Sequence, residues 1–320
     1  MIRHFGITAA GAAVQAITLQ AGGLSATILT LGAILQSVRL EGLDHGLTLG
    51  SDRLADYEGA LCWHGALVGP VANRIAHARA TVAGRLCRFA ANDGPHCLHS
   101  GPDGTHARTW TIAAHGPDHL TLTLDLPDGA GGFPGQRHLQ AEWHLRPTEL
   151  CLTLTARCDA ATLINLANHS YWNLDGSADF RGHHLRIAAD RMTEVDGALI
   201  PTGRLLPVAG GAFDFRQGRP VVPGAPALDT NFCLSDWPED LRDVLWLTGQ
   251  GGLTLTLATT EPGLQVYDHR APADAGHGAY AGLAIEPQHW PDAPNQPAFP
   301  PILLQPHETR HQITRWRFSR

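Results

Sequence analysis

Apolar and polar residues alternate with a period of two along much of this 320-residue chain. The clearest runs are Leu120-Thr-Leu-Thr-Leu-Asp-Leu126, Leu150-Cys-Leu-Thr-Leu-Thr-Ala156 and Leu253-Thr-Leu-Thr-Leu-Ala258, and residues 14–19, 26–31 and 312–318 repeat the pattern. Successive side chains of an extended strand point to opposite faces, so this period predicts strands with one face on a core. Helical periodicity is scarce. Residues 51–57 and 236–242 each predict one or two helical turns, with Ser51 and Asp236 as N-caps. The segment Ala83-Gly84-Arg85 predicts a tight hairpin turn. The 35 glycines and 22 prolines fall mostly between the alternating runs, where chain reversals belong. Residues 209–211 and 220–226 are the nearest approach to a linker, and both are short and bordered by apolar residues. The expected architecture is therefore all-β: a large antiparallel β-sandwich forming one domain over residues 1–320.

Composition narrows the function. A hydrophobic content of 43% with 17% charged residues is that of a core-forming globular chain. The formal charge of −7 argues against a nucleic-acid partner, which would call for a basic stripe. The chain contains no lysine, so all 23 basic residues are arginine. Schiff-base chemistry and a phosphate-loop lysine are thereby excluded. The cysteines Cys62, Cys87, Cys97, Cys151, Cys158 and Cys233 form no Cys-x-x-Cys pair and no zinc spacing. They are expected to be small buried apolar groups, with reduced thiols. No apolar run approaches membrane length, and Met1-Ile-Arg-His-Phe leads into a strand-like pattern without a secretory signature. A cytoplasmic protein is expected.

The candidate chemistry starts at Glu286, in Gly282-Leu-Ala-Ile-Glu286-Pro-Gln-His-Trp-Pro-Asp292-Ala-Pro-Asn295. Here a carboxylate stands at the end of a short apolar strand that breaks into a proline-rich loop. A strand end fixes its backbone and leaves its oxygens facing whatever the loop encloses, which suits a general base. Taken alone, such a glutamate is more often a solvated surface group. A second cluster, Asn168-His169-Ser-Tyr171-Trp172-Asn173, sets a histidine among aromatic and amide groups. A base and an acid on two strand ends are what opening a sugar ring needs. An imidazole with its ordinary pKa of about 6.5 serves as that acid at neutral pH. Arg74 follows the loop Gly69-Pro70-Val-Ala-Asn73 and offers a fork of donors to hydroxyls, or else braces the loop. His96 and His99 have an i, i+3 spacing open to a metal, but no matching pair elsewhere completes a site, so hydrogen-bonding roles are expected. Asp229, before Thr230-Asn231-Phe232, is a turn former or an acceptor for two hydroxyls. Trp63, Tyr171, Trp172, Tyr267 and Trp290 lie in or near these motifs, and aromatic faces suit the C–H faces of sugars.

Taken in order, these motifs resemble the aldose 1-epimerase (galactose mutarotase) family. The resemblance runs through Leu31-Gly-Ala33, Ala72-Asn-Arg74-Ile, Leu98-His99, Gly132-Phe-Pro-Gly135, Asn168-His169-Ser-Tyr-Trp-Asn-Leu and Thr193-Glu-Val-Asp196. It continues through Ile200-Pro-Thr-Gly203, Phe213-Asp-Phe-Arg216, Asp229-Thr-Asn-Phe, Glu261-Pro-Gly-Leu-Gln265 and the Glu286 segment. It implies the family's large antiparallel supersandwich, with a cleft on one face. It further implies Glu286 as general base and His169 as general acid. Arg74, His99, Asp229, Trp172 and Gln265 are then the residues expected to bind the sugar. No metal or organic cofactor is implied, and the only partner implied is a small monosaccharide, bound by a monomer or homodimer.

Four departures from the family pattern bear on the substrate. Pro70 stands where relatives usually have arginine, Ser100 replaces a glycine, Thr230 replaces a histidine, and Tyr267-Asp268-His269-Arg270 replaces Tyr-Thr-Gly-Asn. They leave the acid and base untouched but leave the preferred sugar open. Three alternatives remain beside a free-aldose epimerase. One is an epimerase of sugar phosphates, which Arg270 leaves open. Another is a non-catalytic carbohydrate-binding or regulatory sandwich. The last is a glycoside hydrolase with Asp229 as a second carboxylate near Glu286.

Overall fold

The computed structural model describes residues 1–270 and 275–320. Every pairing of named strands among the described residues is antiparallel. The expected strands form, at Ala13–Ala21, Leu24–Leu29, His119–Leu126, Glu149–Cys158, Thr254–Thr259 and Arg310–Ser319. Alternation becomes burial directly: in Glu149–Cys158 the side chains of Leu150, Leu152, Leu154 and Ala156 are buried while their neighbours are not. The Ala83-Gly84 turn joins Arg79–Val82 to Arg85–Arg88, with both turn residues at positive φ (47° and 82°), as a two-residue hairpin loop demands.

Three sheets matter. A nine-stranded sheet runs, in spatial order, Thr111–His115, His119–Leu126, Arg137–Arg146, Glu149–Cys158, Arg310–Ser319, Thr254–Thr259, Arg242–Thr248, His184–Ile187 and Arg219–Pro220. A six-stranded sheet runs Tyr171–Trp172, Leu283–Gln288, Gly263–Tyr267, Asp229–Cys233, Arg191–Val195 and Pro201–Pro207. A four-stranded meander, Ile2–Ile7 to Leu35–Leu40, completes the set. One contiguous hydrophobic cluster takes side chains from all three, including Ile17 and Leu24, Trp143 and Trp316, and Leu264 and Ile285. Burial of that apolar surface is the main force holding the layers together.

The segment 51–57 does form one helical turn, Leu54–Tyr57, but Ser51 does not cap it. The Ser51 hydroxyl instead bonds the Asp56 carboxylate and accepts the Arg53 N–H at 3.1 Å. Residues 236–242 form no helix: the chain bends, and Arg242 opens a strand. Pro238 removes a donor from so short a segment, and the Ser235 hydroxyl bonds the Trp237 carbonyl at 2.7 Å in its place. Cys87, Cys97 and Cys233 are buried, and Cys62, Cys151 and Cys158 are half-buried. No helix among the described residues is long and apolar enough to cross a membrane.

Candidate active site

Glu286 lies within the strand Leu283–Gln288, opposite Gln265 of Gly263–Tyr267. The strand was expected to end at Glu286, yet it continues through Pro287. Proline is tolerated because the neighbour Tyr171–Trp172 pairs only with Ala284 and Leu283, so no ladder partner on that side needs a donor at 287. His169 sits in the two-residue gap between Ala167–Asn168 and Tyr171–Trp172. Its backbone is pinned on both sides: its N–H donates to the Ala66 carbonyl at 2.9 Å and its carbonyl accepts from Gly65 at 3.0 Å. Nε2 of His169 is 3.6 Å from Oε1 of Glu286, and both side chains are almost fully buried.

The pair faces a cleft of about 220 Å³ lined among others by Trp63, His64, Arg74, His99, Tyr171, Asp229, Tyr267 and His269. Arg74 is aimed by its guanidinium Nε, which donates to Asp93 at 2.7 Å, and its Nη1 lies 3.9 Å from Asp229. The loop carrying it is tied to the Glu286 segment. The Asp292 carboxylate accepts the Ala76 N–H at 2.9 Å and the Asn295 amide at 2.7 Å, while the Asp292 N–H donates to the Arg74 carbonyl at 3.1 Å. Gln265 does not line the main cleft. Its Nε2 donates to Oδ1 of Asp229 at 2.6 Å, so it orients the aspartate rather than meeting a ligand there. With Gln265 on one oxygen and Arg74 facing the other, Asp229 is built as a fixed acceptor, not as a free nucleophile.

Trp172 is elsewhere. It was expected to bind sugar, but it is fully buried in the core, with its ring 5.9 Å from both Trp316 and Phe318. Strand alternation explains this: Tyr171 and Trp172 are consecutive, so when one faces the cleft the other must face the core. Trp290 is likewise buried, its indole N–H donating to the Pro262 carbonyl at 3.0 Å. His64 and His269 are cleft residues that no periodicity or spacing marked out beforehand, although His269 stood in a departure from the family pattern.

Burial governs the electrostatics. It pushes the Glu286 carboxyl well above the usual carboxylate range; nearby Asp229 adds to this and Arg74 opposes it. It pushes His169 down to about 4. The expectation of an imidazole near its ordinary value therefore fails, because desolvation penalises the imidazolium. Both separate charges are disfavoured, which favours a neutral carboxyl beside a neutral imidazole. His99 is also held neutral, first by its burial and then by His169, His106 and Arg74. Its Nδ1 accepts the Asn73 N–H at 3.1 Å, which leaves the ring proton on Nε2. His99 is thus a locked donor. This also bears on a metal. Ligand atoms of His99, His169 and Glu286 lie within 4.8 Å of one another, but His99 has already committed the lone pair of its proton-free nitrogen to a backbone amide. His96 accepts the His77 N–H at 3.1 Å in the same manner, so the i, i+3 histidines are hydrogen-bonding residues.

Several shared motifs turn out to be structural. Arg137, fully buried, donates to the carbonyls of Phe133 and Pro127 at 3.1 and 2.8 Å and so braces Gly132-Phe-Pro-Gly135. Gly132 has φ of 85°, and a Cβ there would stand 2.0 Å from the Arg88 carbonyl oxygen, so only glycine fits. Glu261 bonds buried His289 at 2.8 Å, and His289 in turn is held by Asn165 through both its N–H and its carbonyl.

Known proteins resemble this chain over nearly its whole length. The aldose 1-epimerase family model matches residues 15–317. Galactose mutarotase of Bos taurus is 34% identical over 327 residues, covering 96% of this chain and 94% of that protein. Aldose 1-epimerase of Escherichia coli K12 is 32% identical over 321 residues, covering 92% of each. Among solved structures, an aldose epimerase homologue from C. elegans superposes with a TM-score of 0.89 at 30% identity, over 95% of this chain and 98% of that one. Galactose 1-epimerase from Lactobacillus acidophilus gives a TM-score of 0.87 at 26% identity, over 100% and 98%. The chain belongs to the aldose 1-epimerase family, isomerases that interconvert the α and β anomers of aldoses.

Proposed function

We propose that this chain opens and recloses the pyranose ring of a free aldose, with Glu286 as base and His169 as acid. The observation that carries the reading is the 3.6 Å separation of Nε2 of His169 and Oε1 of Glu286 at the buried base of one cleft. Oε2 of Glu286 is buried and has no protein partner among the described residues, a cost that a ligand hydroxyl would remove. In the reactive form the shared proton sits on His169. Glu286 takes the proton of the C1 hydroxyl as the C1–O5 bond breaks and C1–O1 becomes a carbonyl. His169 delivers its proton to O5. The aldehyde turns about C1–C2, O5 attacks its other face, and both protons return. Two protons move and nothing is oxidised or reduced, so the balanced reaction calls on no metal or organic cofactor. The open-chain state pairs a protonated glutamate with a neutral histidine, which is the arrangement burial already favours. Each positioned proton transfer contributes about 100-fold or more. Arg74, Asp229 and His99 hold the hydroxyls.

A free sugar fits this cleft better than a phosphorylated one. Arg74 is the single arginine among its described lining residues, and it faces Asp229 and Glu286. Arg270, the other candidate, is spent on Asp268 at 2.9 Å and on the Leu228 carbonyl at 2.5 Å. A purely binding module has no use for a matched acid and base. The chain is read as one domain over residues 1–320, supported by the shared core, and as a cytoplasmic monomer or homodimer. Polarimetry of freshly dissolved α-D-glucose, α-D-galactose, L-arabinose and D-xylose tests the reading. At least one should reach anomeric equilibrium faster with the protein; acceleration of none would overturn it.

A further inference from the structure

We infer that His64 and His269 form a subsite that reads the substituent on C5 of the sugar, and that His64 hydrogen-bonds the C6 hydroxyl. This rests on the ring-opening reading above, which fixes the sugar's orientation. With O1 at Glu286 and the ring oxygen at His169, C2 and C3 extend toward Arg74 and Asp229, the charges that act on Glu286. C5 is the other neighbour of the ring oxygen and lies on the far side of His169. There Tyr171 packs 5.1 Å from His169, and behind it stand His64, stacked on Tyr171 at 4.1 Å, and His269 at 4.8 Å. The two histidines meet edge to face at 5.2 Å, and both line the cleft.

Two independent observations single them out. His64 is 5% exposed, and its Nε2, shielded from solvent, has no hydrogen-bond partner among the described residues. A buried nitrogen left unsatisfied costs about 1–3 kcal/mol, a cost that a ligand hydroxyl removes. Burial also holds this ring neutral, with its pKa lowered to about 2, so it both donates and accepts as a hydroxyl requires. His269, in turn, occupies the left-handed region at φ of 51° while almost fully buried against the cleft. A bulky side chain in that region is retained where its position is needed. His269 stands as an imidazole wall at one end of the cleft.

The test compares sugars differing only at C5: D-galactose, its 6-deoxy analogue D-fucose, and L-arabinose, which lacks C6 altogether. Initial mutarotation rates are measured for wild type, His64→Phe, which keeps the stack on Tyr171, His64→Gln, which keeps a donor and acceptor, and His269→Gly. The ratio of kcat/KM for D-galactose over D-fucose should fall about three- to tenfold in His64→Phe, as expected for one hydrogen bond, and recover in part in His64→Gln. His269→Gly should shrink the preference for D-galactose over L-arabinose. An active His64→Phe with an unchanged galactose-to-fucose ratio would overturn the subsite while leaving ring opening intact. Wild type inert on all three sugars, with glucose and xylose inert as well, would instead overturn the ring-opening reading and the subsite with it.

Discussion

The proposed acid–base pair is poised by burial. Glu286 and His169 are both so buried that neither keeps its ordinary proton affinity, the carboxyl raised and the imidazole lowered to about 4. They share one proton at constant net charge, and moving it between them costs far less than charging either alone. This predicts the pH dependence. A histidine acid with its ordinary pKa would lose activity as pH rises through about 6.5. The buried pair instead keeps its proton there. On the acid side it takes a second proton only as pH falls toward about 4. Enzyme-dependent kcat/KM, after subtraction of the buffer rate, should therefore show no loss as pH rises through about 6.5. A midpoint near 6.5 would show His169 titrating as an ordinary imidazole.

At the scale of the elements, the site is a product of ties between segments far apart in sequence. The Arg74 loop is anchored by Asp292, which follows the Glu286 strand, and Asp229 is aimed by Gln265 on the neighbouring strand. Asp292→Ala should cost about 1–3 kcal/mol of stability by orphaning the Ala76 N–H, and should raise KM as Arg74 loses its support. A normal melt and a normal KM in that variant would show the tie to be idle. Such ties explain what was readable beforehand. Alternation marked strands such as Glu149–Cys158 well, because a period of two is a local property. Residues 51–57 gave their helical turn but not the Ser51 cap, because that hydroxyl bonds Asp56, and the Pro238 segment gave no helix at all. Glu286, His169, Arg74, His99 and Asp229 were legible as residues through their motifs, yet only folding brings them around one cleft. Trp172 was misread because which face of a two-residue strand looks inward cannot be decided locally. His64 and His269 carry no spacing signal, since each is one imidazole in a loop.

For the molecule as a whole, the histidines around the cleft make acid a destabilising agent. Burial lowers His64 to about 2, His106 and His169 to about 4, and His99 well below its ordinary 6.5. The unfolded chain binds protons at these positions below about 6.5 while the folded chain does not. Stability is therefore complete above that value and is lost as pH falls, by about 1.4 kcal/mol per pH unit for each such histidine. Glu286 acts in the opposite sense: its raised pKa lets the folded state hold a proton that the unfolded state has released, which favours folding at lower pH. Asp229 and Asp292 are raised in the same sense and His183 is lowered with the other rings, so five histidines outweigh three carboxyls and Tm should drop between about pH 7 and about pH 5. An equal or higher Tm at the lower pH would contradict the neutral burial of these rings.

The most direct test of the account is a polarimetric comparison of wild type and Glu286→Gln on the fastest of the free aldoses. The amide keeps the shape and burial of the side chain but cannot accept the O1 proton. Melting curves of the two proteins show whether the fold is retained. With the fold intact, loss of at least about 100-fold in kcat is the predicted result. A folded Glu286→Gln protein that mutarotates sugar at the wild-type rate would contradict the assignment of Glu286 as the base.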